Sequence, residues 1–191
     1  MPTDDKPAPD KPLTYPAAVL LQGGPARDRL DLAYHIADHW PRCQAHSFLS
    51  PVREGMVGTF FQGDPSVDLN SLLDQPINEQ TQLTFGKFQS LYEAFLRSNL
   101  GQDYLGFMAS KRLEENLDWF ATFVFDDADS VRNIRHIVDM FEPMTCIVVN
   151  MPGSVPLHSE RAHVITLEGF VTLEEAFATI EAFRQKVFAN D

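Results

Sequence analysis

Residues 17–22 read AAVLLQ, a run without charge held between Pro16 and the pair Gly23-Gly24. It is too short for a buried helix. It also lacks the polar–apolar alternation of a strand with one wet face. What remains is a strand covered on both faces. TFVF at 122–125 and CIVV at 146–149 repeat the pattern, Val164-Ile165 is a shorter version, and residues 45–48 make a weaker strand.

Between these runs the period changes to that of a helix. Residues 29–40 carry Leu30, Ala33, Ile36 and Ala37, and 51–61 form a helix with Pro51 in its first turn. Phe88, Leu91, Tyr92, Phe95 and Leu96 make one apolar stripe, and 103–117 a further helix. Val131, Ile134, Ile137, Val138 and Phe141 make another such face. Thr172 and Glu175 fit a capping box that opens a last helix with Leu173, Phe177, Ile180 and Phe183 inward. Strands alternating with helices predict a three-layer α/β/α domain with a mainly parallel sheet. Residues 62–86 are polar, broken by Gly63, Pro65, Pro76 and Gly86. A connection of that length in a compact domain is commonly a lid or binding loop.

The chain has 191 residues, 44 % apolar and 22 % charged, which suits one domain over 17–191. Residues 1–16 hold five of the thirteen prolines among charged residues and predict a disordered tail. Net charge is 15 − 27 = −12, which disfavours non-specific nucleic-acid binding. No secretory leader and no apolar stretch long enough for a membrane span is read. Cys43 and Cys146 are the only two cysteines. They provide no disulfide framework or zinc set, which suits a reducing, cytoplasmic setting.

Ligands of parallel sheets bind outside the strands' carboxyl ends. The loop after the first run reads Gly23-Gly24-Pro25-Ala26-Arg27-Asp28-Arg29-Leu30. It has the context of a phosphate-binding loop, G-x-x-x-x-G-K-[ST], between strand and helix. Asp28 stands at the second glycine, Arg29 at the lysine and Leu30 at the hydroxyl. Asp31 follows and is a candidate magnesium ligand in a rearranged loop. The plain alternative is a strand-to-helix turn with Asp28 as N-cap. Asp126-Asp127 reads either as a magnesium-holding pair or as a strand end before a helix.

Other candidates are weaker. His158-Ser159-Glu160 holds acid–base residue types without a placed partner. His35 and His39 share a helical face without a third ligand. Arg27, Arg29, Arg53, Arg97, Lys111 and Arg112 either gather into a basic cleft or scatter over the surface. Cys146 reads as a buried, inert thiol.

The order of several segments resembles the bacteriophage-type deoxynucleoside monophosphate kinase family. Ser47-Phe48-Leu49-Ser50-Pro51-Val52-Arg53-Glu54 is similar to its F-A-D-P-L-K-E-like segment. Gly101-Gln102-Asp103-Tyr104-Leu105 resembles G-x-D-x-W-V. Asp126 to Ser130 stands where D-V-R-F-x-N-E does, with Asp129 or Ala128 at the arginine. Leu157-His158-Ser159-Glu160 resembles H-x-S-E, and 169–176 resembles the opening of the final helix.

This resemblance spans about 17–188. It implies a P-loop nucleotide-kinase-like fold and, if the chain is active, Mg and ATP as cofactors. It gives Arg29 and Asp127 as catalytic residues, with Asp31 and Asp127 as metal ligands. Nucleotide-binding residues would be Gly23, Gly24, Arg27, Asp28, Arg53, Asp103 and His158. The departures all fall on phosphate handling, where positive charge is removed and negative charge added. The expectation is therefore a degenerate kinase relative of phage or prophage origin, acting by nucleotide or protein binding. One alternative is an active nucleoside monophosphate kinase with an atypical loop. Another is a viral protein that engages a host factor, through an apolar patch near Phe60-Phe61 or the helix from Phe88. The family assembly would make a homodimer.

Overall fold

Ala18 pairs with Phe123 on one side and with Cys146 on the other, so the first strand lies inside the sheet. The structure, a computed structural model, describes residues 14–64, 66–152, 159–168 and 172–189. Its strands are β1 (Ala18–Gln22), β2 (Cys43–His46), β3 (Thr122–Phe125), β4 (Cys146–Asn150) and β5 (His163–Thr166). They pair in the order β2-β3-β1-β4-β5, and every pairing is parallel.

Seven helices occur among the described residues: α1 (Ala26–His39), α2 (Ser50–Phe61), α3 (Leu69–Leu72), α4 (Phe85–Leu100), α5 (Tyr104–Asn116), α6 (Val131–Val138) and α7 (Leu173–Phe188).

Successive strand residues face opposite sides, and β1 shows the result. Ala18 and Leu20 join Val52, Leu105, Leu113 and Ile137 in the core beneath α2, α4, α5 and α6. Val19 and Leu21 join Leu32, Ile36, Ala176 and Ile180 beneath α1 and α7. Both faces are covered, which gives the three-layer α/β/α arrangement expected from the alternation. No described helix is long and apolar enough to cross a membrane.

Helix α6 ends at Val138, short of Phe141, and three further differences from the sequence reading bear on the site. Helix α1 begins at Ala26, because Pro25 is the N-cap, at φ −65° and ψ 138°. Asp28 is therefore in the first turn and is not the N-cap. Its charge suits the positive helix end from there. Strand β2 covers 43–46 instead of 45–48. Its residues are only half-buried, so it has no continuous apolar run to mark it. Phe48 is buried beyond the strand end, stacked on Phe125 at 4.5 Å. The 62–86 connection contains α3 and one antiparallel bridge, Pro76 to Thr84. Thr84 then caps α4 by accepting from the Lys87 N–H.

The capping box at Thr172 and Glu175 forms as read. Of the predicted tail, residues 1–13 lie outside the described residues. Tyr15 meets Trp40 edge-on at 5.5 Å, and the Arg184 guanidinium lies 4.2 Å from its ring centre.

Candidate functional site

Strand β1 runs into Gly23 and Gly24, both with positive φ, at 70° and 66°. Only glycine takes two such residues in succession without strain. The turn brings the Gly23 and Gly24 carbonyls round to one point, where the Arg29 guanidinium fills it. Arg29 Nη1 donates to both carbonyls at 2.8 Å. Its Nε donates to the Asp126 carbonyl at 2.5 Å, and Nη2 to Asp129 Oδ2 at 3.0 Å. Four of its five N–H donors are thus used inside the protein. The residue is only 7 % exposed. The Gly23 N–H is also taken, by Asp129 Oδ1 at 3.1 Å.

Asp126 and Asp127 turn opposite ways. Asp127 Oδ1 accepts the Phe48 N–H at 2.8 Å. Its Oδ2 accepts the Leu49 N–H at 3.0 Å and the Ser47 hydroxyl at 2.5 Å. It thereby anchors the turn that leads into α2. Asp126 is 5 % exposed, and its Oδ1 has no hydrogen-bond partner. Burial and the neighbouring Asp127 push its carboxyl up to about 7, against the pull of Arg53 and Arg29. The sequence reading gave the chemical role to Asp127; the residue that faces the crevice with an unpaired oxygen is Asp126.

A cleft of about 860 Å³ lies at this place, outside the carboxyl ends of β1, β2 and β3. Its far wall is the 62–86 connection and α4, through Asp68, Asn70, Ser71, Gln89, Glu93 and Arg97. The connection therefore does border the candidate site. The cleft is within the size range of small-molecule sites. It also collects unpaired polar atoms. Arg53 Nε, Gln89 Oε1, Asp126 Oδ1 and Asn133 Oδ1 are buried without a partner, and all four residues line it. Buried polar groups are nearly always satisfied, so four orphans around one cavity point to something that enters it. Gln89 and Asn133 escaped the sequence reading, since an amide on a helix carries no spacing signal.

The other predicted residues divide between places. Arg27, Arg29, Arg53 and Arg97 do gather at the cleft. Arg112 instead pairs with Glu54, and Lys111 lies over the Phe107 ring. Arg27 reaches Asp31 at 3.8 Å on the exposed face of α1, a pair worth little in water. Asp28 does not line the large cleft. It borders a smaller pocket of about 350 Å³ with Leu32, Met151 and Leu173. Asp103 lies apart, 3.7 Å from Arg132 in a surface depression between α5 and α6. His158 lies outside the described residues. His35 and His39 stack at 4.1 Å beside Phe177. No group of three or more His, Cys, Asp or Glu arranged for a metal occurs among the described residues. Phe60 and Phe61 form no open patch; they pack on Phe85 and Phe88.

A nucleotide's phosphates fit this loop poorly as it is folded. They would meet two carbonyl oxygens, the Asp129 carboxylate and a guanidinium with four of its five donors already used. Asp31 is loosely paired with Arg27 and both Asp127 oxygens accept hydrogen bonds, while Asp126 Oδ1 is buried without a partner. No family model matches the chain, and no curated protein matches it.

Proposed function

We propose that the chain is a degenerate nucleotide-kinase-like protein that binds its ligand in the β1–β3 crevice and does not transfer phosphate. The observation that carries this reading is the Arg29 plug. Phosphoryl transfer depends on positive charge and N–H donors placed around the moving phosphate. Here the loop's carbonyls face inward on a buried cation, and a carboxylate holds its Gly23 N–H. The order of segments along the chain and the parallel sheet support the kinase-like frame, and the cleft supports a binding role.

An ATP-coupled assay with Mg-ATP and each deoxynucleoside monophosphate tests the reading. The expected result is no turnover. A rate of ~1–100 per second, that of an ordinary kinase, overturns it.

A second reading has its own observation. On α4, Leu91 and Phe95 are 54 % and 58 % exposed, one turn apart on the same face. That surface favours a protein partner, either host-derived or a second copy. Sedimentation of the purified chain tests the second copy; a concentration-independent monomer mass removes that form of the reading.

A further inference from the structure

The charge inside the cleft argues against a phosphorylated ligand. Six carboxylates and four arginines line it, a formal sum of −2. Three arginines are already paired within the protein: Arg27 with Asp31, Arg29 with Asp129, and Arg97 with Glu93. Arg53 is the one lining guanidinium without an ion pair among the described residues, and its Nε is one of the orphans. A dianionic phosphate placed here would face Asp68, Asp126 and Asp127, with Arg53 unpaired and Arg27 only loosely paired at the exposed rim in compensation. Bringing unmatched charge into a buried site is costly.

The orphans favour the opposite chemistry. Three of the four are oxygens: Gln89 Oε1, Asp126 Oδ1 and Asn133 Oδ1. Asp126 and Asn133 are 5 % and 2 % exposed, so bulk water does not satisfy them. They call for N–H or O–H donors, and Arg53 Nε calls for one acceptor. Donors and an acceptor side by side are what an amino-substituted nitrogen heterocycle presents along one edge, with a carboxyl as its natural complement.

We propose that the cleft recognises an uncharged or protonated amino-substituted nitrogen heterocycle of nucleoside size, unphosphorylated. Its amino group would lie on Asp126 and its acceptor on Arg53. The proposal rests on the binding reading given above and specifies the ligand class of that same cleft. A carboxyl pushed up to about 7 supports it, since the protonated form can both donate to and accept from such an edge. The ribose or deoxyribose hydroxyls are further donors for Gln89 and Asn133.

Thermal unfolding of the full chain with millimolar deoxyadenosine, deoxycytidine, deoxyguanosine, thymidine and their 5′-monophosphates tests it. One of the amino-bearing nucleosides should raise Tm by about 5 °C or more. Its monophosphate should bind at least tenfold more weakly, and thymidine should give no shift. Asp126→Ala should abolish the shift, while Arg135→Ala, on the exposed side of α6 and outside the cleft's lining, should keep it. Should Asp126→Ala fold poorly, Arg53→Gln serves in its place and should weaken binding by about tenfold. A monophosphate that binds more tightly than its nucleoside overturns the inference and leaves the binding reading standing. Thymidine binding as well as the amino-bearing nucleosides overturns the assigned chemistry. No shift with any of the compounds overturns both and leaves α4 as the functional surface.

Discussion

Arg29 and Asp129 lie 100 residues apart in sequence, yet Nη2 of one meets Oδ2 of the other at 3.0 Å. The second Asp129 oxygen accepts the Gly23 N–H at 3.1 Å. One ion pair thus ties the end of β1, the start of α1 and the loop after β3 into a single knot. A buried guanidinium and a half-exposed carboxylate of the protein itself together use the groups with which such a loop would hold an anion.

Arg29 should therefore behave as a structural residue. Arg29→Ala leaves the Gly23, Gly24 and Asp126 carbonyls without their donor and should cost about 2–4 kcal/mol. The range is set somewhat below that for a fully buried pair, because Asp129 is half open to water. Arg29→Lys should cost nearly as much, because an ammonium cannot reproduce the planar fork. Urea unfolding measures both. A lysine variant as stable as the parent contradicts the plug.

Asp127 should act through helix α2. Removing its side chain frees the Phe48 and Leu49 N–H groups and the Ser47 hydroxyl, so Asp127→Ala should lose about 1–2 kcal/mol. Hydrogen exchange should speed up first in 47–53. A loss of ligand binding with no change in stability would give Asp127 a ligand-binding role in place of the structural one.

Two groups should shape the dependence of stability on pH, with opposite signs. Burial, aided by Arg112, lowers His46 to about 4. Between that value and 6.5 the unfolded chain binds the extra proton, so this contribution is lost as pH falls. Asp126 is raised to about 7, so the folded chain holds the extra proton between 3.8 and 7. That contribution is complete below 3.8 and lost as pH rises. The parent should thus show a shallow curve between about pH 4 and 6.5. Asp126→Asn should gain on the parent as pH rises, with the largest gain near pH 8, in chemical denaturation across pH. An equal offset at pH 4 and pH 8 contradicts the raised carboxyl.

Gly24 should resist substitution. At φ +66° any Cβ is strained, and here it would also meet Met151 Cβ at 3.0 Å. Gly24→Ala should lose about 1–2 kcal/mol from the backbone alone, whereas Gly58→Ala, in a helix with open space around it, should stabilise slightly. Thermal melts of the two variants side by side decide it.

Both thiols should be slow. Burial pushes Cys43 and Cys146 up to about 12, so thiolate is scarce at neutral pH. Iodoacetamide should label them only after unfolding.

The sheet was legible because its central strands are built on short apolar runs: 17–22, 122–125 and 146–149 read as strands, and the strands lie at 18–22, 122–125 and 146–150. Edge strand β2 was not, since Cys43–His46 is half-buried and carries polar Gln44 and His46. The last helix was marked by its cap, Thr172 and Glu175. The candidate site was half legible. The double glycine and the paired aspartates mark the right loops. The direction of each side chain was not marked, because a buried arginine and a solvated one read alike. Arg29 stands at a helix position where Leu32, Ala33 and Ile36 show the buried face. Its burial follows from the carbonyls that surround it, and those come from two loops far apart in the chain.

The middle of the sheet is also its first-made strand. Residue 18 pairs with 123 and 146, separations of 105 and 128. During synthesis β1 thus leaves the ribosome long before either partner exists. Its apolar run must wait, covered only by the helices that precede β3, until the chain has grown past residue 125. Long-range parallel pairing of this kind is slow and leaves unpaired edges open to other chains. Yield in a cell should therefore depend on chaperones that hold the nascent first hundred residues, and an early stop before β3 should give an aggregating fragment.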